Sequence, residues 1–275
     1  MIITDNFVLL AFPKTGTSYT TAALRSIHAR RSLKGRLVPR RWQKRDFPRP
    51  GYSEHRIIQP PAPPYNKERS SRHGAYSDIP LEHRDKTIAS IARNPFTRYT
   101  SSYLYLTRMR KNLRPVADIE ILQGHYPGYP DMEFPDFYDM LHRFDIPNHL
   151  HGIQPVIELG AQTVKFINFY FRDPKSVLAK IDKAYIEEKG YLEDMADIFF
   201  MHQESLRDEF VQFLRKMGYS EQECLLAQDL RQQNVARRDK KESDLSHFYN
   251  EQLRETVLQR DALIFSLFPE YAQPW

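Results

Sequence analysis

Lys14, Thr15, Gly16, Thr17 and Ser18 lie between an apolar run and the start of a helix, and that order of parts makes an anion site. The run from Phe7 predicts a buried strand, and Pro13 to Ser18 predicts a turn opening a helix near Thr17. Backbone N–H groups of such a turn point at a ligand. The helix start adds a positive end equivalent to roughly half an elementary charge. Lys14 adds a full charge, and the hydroxyls of Thr15, Thr17 and Ser18 add donors, so the implied ligand is phosphate-like. The usual nucleoside-triphosphate loop reads G-x-x-x-x-G-K-[ST]. Here Lys14 precedes the turn's only glycine, and the glycine-rich stretch is missing.

A second constellation runs from Arg93 to Tyr103, reading RNPFTRYTSSY. Thr87–Ala92 predicts a short buried strand, and Pro95 suits the first turn of a helix. Arg93 then sits at the strand end, with Arg98 and Ser101 one and two turns into the helix. Ligands of open α/β sheets bind at such strand ends. A guanidinium matches phosphate oxygens bidentately, and a serine hydroxyl adds a donor. The competing expectation is that both arginines are solvated or paired structurally.

Together the two segments resemble the sulfotransferases that use 3′-phosphoadenosine 5′-phosphosulfate (PAPS). PKTGTS is similar to that family's 5′-phosphosulfate loop, and R-N-P-x-x-R-x-x-S-x-Y to its 3′-phosphate motif. Asn94 stands where an aspartate is usual. More weakly, Phe199–Leu206 (FFMHQESL) and Phe134–Leu141 (FPDFYDML) resemble segments of the carbohydrate branch that includes heparan sulfate 2-O-sulfotransferase. The resemblance implies a P-loop-like three-layer α/β fold with a central, mainly parallel sheet flanked by helices. It implies PAPS as cosubstrate, adenosine 3′,5′-bisphosphate as product, and no metal. Pro13, Lys14, Thr15, Gly16, Thr17 and Ser18 would hold the 5′ end, and Arg93 and Ser101 the 3′-phosphate. Lys14 would also stabilise the leaving oxygen. Arg98 would brace its helix, Tyr103 would pack, and Arg237 and Arg238 are the late candidates to close over the nucleotide.

Transfer to a hydroxyl needs a group that accepts its proton. His73 is the first choice, because His-x-x-Tyr just ahead of the Arg93 strand resembles the base-bearing segment of the heparan 2-O branch. His55 is second, and Glu54 is a carboxylate substitute. His125 and His151 are expected to be structural or on the acceptor side. His149-x-His151 lacks the third ligand of a metal site.

The elements that must position these residues are legible in part. The 275 residues suit a single domain, 1–275, with insertions at 32–80 and 123–135 that form a lid or acceptor region. The proline-rich 32–80 segment predicts little regular structure. Gln162–Phe166 predicts a strand, Lys175–Lys183 a helix, Ala196–Met201 a strand, and Leu206 onward a helix ending near Gly218. The stretch from Tyr249 to Leu267 has helical spacing. The single cysteine, Cys224, excludes an internal disulfide and predicts a small core residue. No apolar run reaches the ~20 residues of a membrane span. A soluble, cytoplasmic protein is expected, unlike the family's membrane-anchored members. Arg25–Arg49 holds ten lysines and arginines against one carboxylate, Asp46. This run predicts a solvated face or a surface for an anionic acceptor. The acceptor itself is expected to be a carbohydrate or another hydroxylated metabolite. The alternatives are a nucleotide-dependent kinase, which the missing GK[ST] order disfavours, and a nucleic-acid-binding protein, for which no motif is present.

Overall fold

The computed structural model describes residues 1–32, 49–59, 69–108, 116–230 and 244–273. In chain order it runs through β1 (Ile2–Thr4), β2 (Phe7–Leu9), α1 (Thr17–Arg31), β3 (Tyr52–Glu54), β4 (Ile57–Gln59) and β5 (Arg69–Ser71). It continues with β6 (Thr87–Ala92), α2 (Pro95–Arg108), α3 (Ala161–Tyr170), β7 (Phe199–His202), α4 (Leu206–Lys216) and α5 (Glu221–Gln228). Then come α6 (Glu251–Arg260) and α7 (Ala262–Leu267), and further short helices punctuate the chain. The chain divides into two compact units. The first comprises Met1–Ile58, Ser70–Arg93 and Asp197–Arg237; the second comprises Gln59–Arg69, Asn94–Ala196 and Arg238–Trp275.

The first unit is built on a five-stranded sheet of order β3-β1-β2-β6-β7. β2, β6 and β7 run parallel, with Leu9 opposite Ala89 and Ile91 opposite Met201. β1 is antiparallel to both β2 and β3. The sheet is therefore mixed, with a parallel centre, where the sequence predicts a mainly parallel one. The difference arises at Asp5-Asn6, where Thr4 Oγ1 donates to the Phe7 carbonyl and accepts from the Phe7 N–H, at 2.9 and 3.0 Å. That turn reverses the chain into a tight hairpin instead of a crossover. Side chains alternate across the strands. Phe7, Leu9, Ala89, Ile91 and Met201 form a core with Tyr19, Ala23, Leu24 and Ile27 of α1 and Phe210, Phe213 and Leu214 of α4. Val8, Leu10, Ile88 and Ser90 on the other face are buried too. Burial on both faces explains why these strands read as continuous apolar runs. Gly218, at φ +80° beyond α4, ends that helix with its N–H on the Arg215 carbonyl at 3.0 Å. Cys224 is wholly buried in α5.

The second unit is helical, with an aromatic core. Tyr249 donates to the Phe96 carbonyl at 2.8 Å, and its ring meets Phe134 at 4.8 Å. Tyr99 meets Tyr138 at 5.1 Å. Gln162–Phe166, predicted as a strand, lies inside α3. The apolar run continues to Phe169 and Tyr170, a length that suits a buried helix better than a strand. Lys175–Lys183 is broken in two, because Asp182 caps a new helical turn by accepting from the Tyr185 N–H at 2.8 Å. The Ala196–Met201 strand starts later, at Phe199. Within 32–80, β3, β4 and β5 are regular structure that the proline content does not announce; 33–48 and 60–68 lie outside the described residues. Among the described residues no helix is long and apolar enough to cross a membrane.

Candidate active site

The parallel centre of the sheet sends three strand ends, those of β2, β6 and β7, to one edge of the first unit. Ladder contacts continue past each end. Leu10 N–H reaches the Ala89 carbonyl at 2.8 Å, and Gln203 N–H reaches the Ala92 carbonyl at 2.9 Å. This edge is where a doubly wound sheet binds ligands.

β2 delivers the chain to the anion turn. Lys14 and Gly16 have φ of +67° and +90°, and Thr15 between them does not share the left-handed conformation. Alternation of this kind turns successive N–H groups toward one side, as in an anion-binding nest. Gly16 is required twice over. An added Cβ would lie 2.9 Å from Leu206 Cδ2, and its φ suits glycine. Gly16 also caps α1, a fifteen-residue helix, so the helix start has no side-chain cap and no acidic residue in its first turn. The Thr15 hydroxyl is used within the turn, donating to the Phe12 carbonyl at 2.9 Å.

β6 delivers Arg93, whose Nη1 donates to the Lys14 carbonyl at 2.8 Å. The arginine is 9 % exposed, so it reaches the turn as a fixed group. Burial, and then the Arg93 charge, lower the Lys14 amine to about 8. Two cations held this close in a half-buried turn create a local field that favours an anion.

His73 stands beside the end of β2. Its Nδ1 is 2.6 Å from the Ala11 carbonyl. A carbonyl only accepts, so Nδ1 carries the proton and a neutral ring presents its lone pair at Nε2. Burial lowers its pKa, and the charges of Arg72 and Lys14 push the same way. The imidazole is therefore neutral near pH 7, the form a proton acceptor needs. His55 lies half-buried on the β3–β4 connection. Glu54 is not a base: Arg25 Nε and Nη2 donate to its two oxygens, the latter at 2.6 Å, and Tyr52 Oη donates at 2.8 Å. These contacts lower its pKa to about 2. Arg25 is thereby taken out of the solvated basic run, as is Arg31, whose Nε donates to Glu223 at 2.8 Å. The rest of that run from 33 to 48 lies outside the described residues, as do Arg237 and Arg238.

The other expected residues fall in the second unit. Ser101 is half-buried on α2. Asn94, at the usual aspartate position, accepts from the Phe96 N–H at 2.9 Å and does the work of a helix cap. Arg98 is buried and donates to Gln162 Oε1, the bracing role expected of it. Tyr103 packs on Phe134 and Phe137 and donates to the Met132 carbonyl at 2.9 Å. His151 bonds Asn168 at 2.8 Å, and His125 stacks on Phe144.

Sequence reasoning gave no role to Gln203. Its Cγ lies 3.5 Å from where a Gly16 Cβ would stand. A signal existed in its place directly after the third parallel strand. Comparison with family models, with curated proteins and with solved structures finds no match.

Proposed function

We propose that this protein is a PAPS-dependent sulfotransferase of P-loop-like fold, moving a sulfuryl group to a hydroxyl of a carbohydrate or similar metabolite. One observation carries the reading: Lys14, Arg93 and a neutral, Nδ1-anchored His73 gather at the C-terminal ends of the sheet's parallel strands. PAPS, when bound, supplies an activated sulfuryl group on a phosphate leaving group. The residues present fit it. Lys14 and the α1 N-terminus match a 5′-phosphosulfate, and the Arg93 guanidinium matches a 3′-phosphate. Gly16, as the N-cap of α1, brings no side-chain oxygen of its own to compete with such an anion.

The chain's own groups then have distinct work. His73 Nε2 accepts the acceptor's hydroxyl proton while Ala11 holds the ring in one tautomer. Lys14 places its charge where negative charge develops on the leaving oxygen. Arg93 fixes the turn through the Lys14 carbonyl and keeps the site cationic.

Thermal stabilisation tests the reading. Adenosine 3′,5′-bisphosphate should raise the melting temperature, and ATP–Mg²⁺ should not. A shift with ATP–Mg²⁺ alone would point to a kinase, and no shift at millimolar bisphosphate would overturn the proposal. His73→Gln should then cut turnover about 10²- to 10⁴-fold with bisphosphate binding unchanged. Full activity in that variant would remove His73 from the mechanism.

A further inference from the structure

The third strand end has no assigned part in this site, yet it is built more rigidly than a connection requires. Glu209 of α4 brackets it. One carboxylate oxygen accepts from the His202 N–H at 2.7 Å, both lie 3.2 Å from His202 Nδ1, and Ser205 Oγ donates to Oε1. Residues on either side of Gln203 are thus tied to a single group. Gln203 is tied as well, through its own N–H, to the Ala92 carbonyl next to Arg93. Its aliphatic stem lies against Gly16, the left-handed glycine of the anion turn. Gln203 is half-buried, and its carboxamide makes no hydrogen bond among the described residues.

A carboxamide offers two N–H donors and no charge. Beside Lys14 and Arg93, further cationic charge would deepen the repulsion that already lowers the Lys14 amine. A neutral donor adds a hydrogen bond without that cost. We propose that the Gln203 carboxamide donates to the anion seated on the Lys14–Ser18 turn, making β7 the third strand to supply a ligand contact. The role rests on the anion-site reading above. It goes beyond it by adding a neutral, specificity-determining donor that distinguishes an oxyanion from an uncharged ligand.

Titration calorimetry on the full chain with adenosine 3′,5′-bisphosphate, inorganic pyrophosphate and adenosine tests it. Gln203→Leu keeps the stem that packs on Gly16 and removes the donors. Bisphosphate and pyrophosphate affinity should fall about ten- to a hundredfold, the scale of one hydrogen bond to a charged group. Gln203→Glu should lose more, because a carboxylate repels the anion. Melting temperatures should match the wild type, and adenosine should not discriminate the variants, which a merely structural role would not produce. Wild-type affinity for both anions in Gln203→Leu, or equal losses in Gln203→Leu and Gln203→Glu, would overturn the Gln203 role and leave the anion site standing. Failure of the wild type to bind either anion would overturn both.

Discussion

Two arginines five residues apart, Arg93 and Arg98, are almost equally buried and make different contacts. Arg93, in the first unit, donates to the Lys14 carbonyl, and its charge disfavours protonation of Lys14. Arg98, in the second unit, donates to Gln162 and lies within electrostatic reach of Asp261 and Asp145. Burial still lowers Arg98 to about 10, so its neighbours only partly offset desolvation. Around it the polar groups answer one another: Tyr99 Oη and Thr163 N–H both donate to Asp261, each at 2.8 Å. A buried cation surrounded by protein acceptors is part of the core. A buried cation whose charge also bears on Lys14 keeps that end of the sheet electropositive, as the proposed function requires.

The largest effect that would break this contrast is on stability. Arg98→Ala leaves Gln162 and Asp261 without their cation and should cost about 3–5 kcal/mol in urea unfolding. Arg93→Ala should cost less than Arg98→Ala, while weakening bisphosphate binding about a hundredfold. Equal stability losses, or intact binding in Arg93→Ala, would erase the distinction.

Asp261 sharpens the core side of the comparison. It is fully buried, and burial, ahead of its hydrogen bonds, raises its pKa from 3.8 to about 6. A raised folded pKa means that this carboxyl's contribution is fully present below about 3.8 and is lost as pH rises through about 6. The shift corresponds to about 3 kcal/mol at 1.36 kcal/mol per unit. Asp261→Asn keeps an acceptor for the Thr163 N–H and cannot ionise. The stability of wild type relative to the variant should therefore fall by up to about 3 kcal/mol between pH 4 and pH 7. A difference that ignores pH would show that the carboxyl does not titrate in the core.

Lys14 sharpens the site side. Its amine, lowered to about 8, must be protonated to attract an anion. Bisphosphate affinity should be flat below about pH 8 and fall up to tenfold per unit above it, or about 1.4 kcal/mol. Lys14→Arg stays charged at all accessible pH and should flatten the curve, even where its planar head binds less well. A flat wild-type curve to pH 10 would mean that Lys14 does not carry the charge the ligand meets.

What the sequence shows of this site is what local order dictates. Phe7 through Ser18, Thr87–Ala92 with Pro95, and Gly218 each announce an element by patterns within a few residues, and each is found. Contacts between distant residues are not announced. His73 reaches Ala11 across 62 residues, and nothing local to Arg72-His73-Gly74 states which nitrogen is anchored. Gln203 against Gly16 is the same kind of contact. Gln162–Phe166 misleads for a different reason: a short apolar run has no period of its own, and the helix is decided by its continuation to Tyr170. Glu54 looked available as a base because Arg25 lies on another element, 29 residues away.

That pair gives the smallest effect. Arg25 and Glu54 are a cation and a carboxylate in the first unit, paired by two hydrogen bonds. The Arg25 hydrogen bond, first among the causes, lowers Glu54 to about 2. Its contribution is thus present above about 4.5 and lost as pH falls toward 2. Arg25 is 39 % exposed, so solvent screens much of the attraction, and Glu54→Gln should cost about 1 kcal/mol at pH 7. Turnover should be unchanged, because a carboxylate engaged by both Arg25 and Tyr52 is a weak proton acceptor. The two readouts separate the roles cleanly. Lost turnover with unchanged stability would return Glu54 to the chemistry and make the Arg25 contact a way of holding a catalytic carboxylate. A small stability loss with full turnover would leave His73 as the proton acceptor and Glu54 as part of the frame that holds α1 to β3.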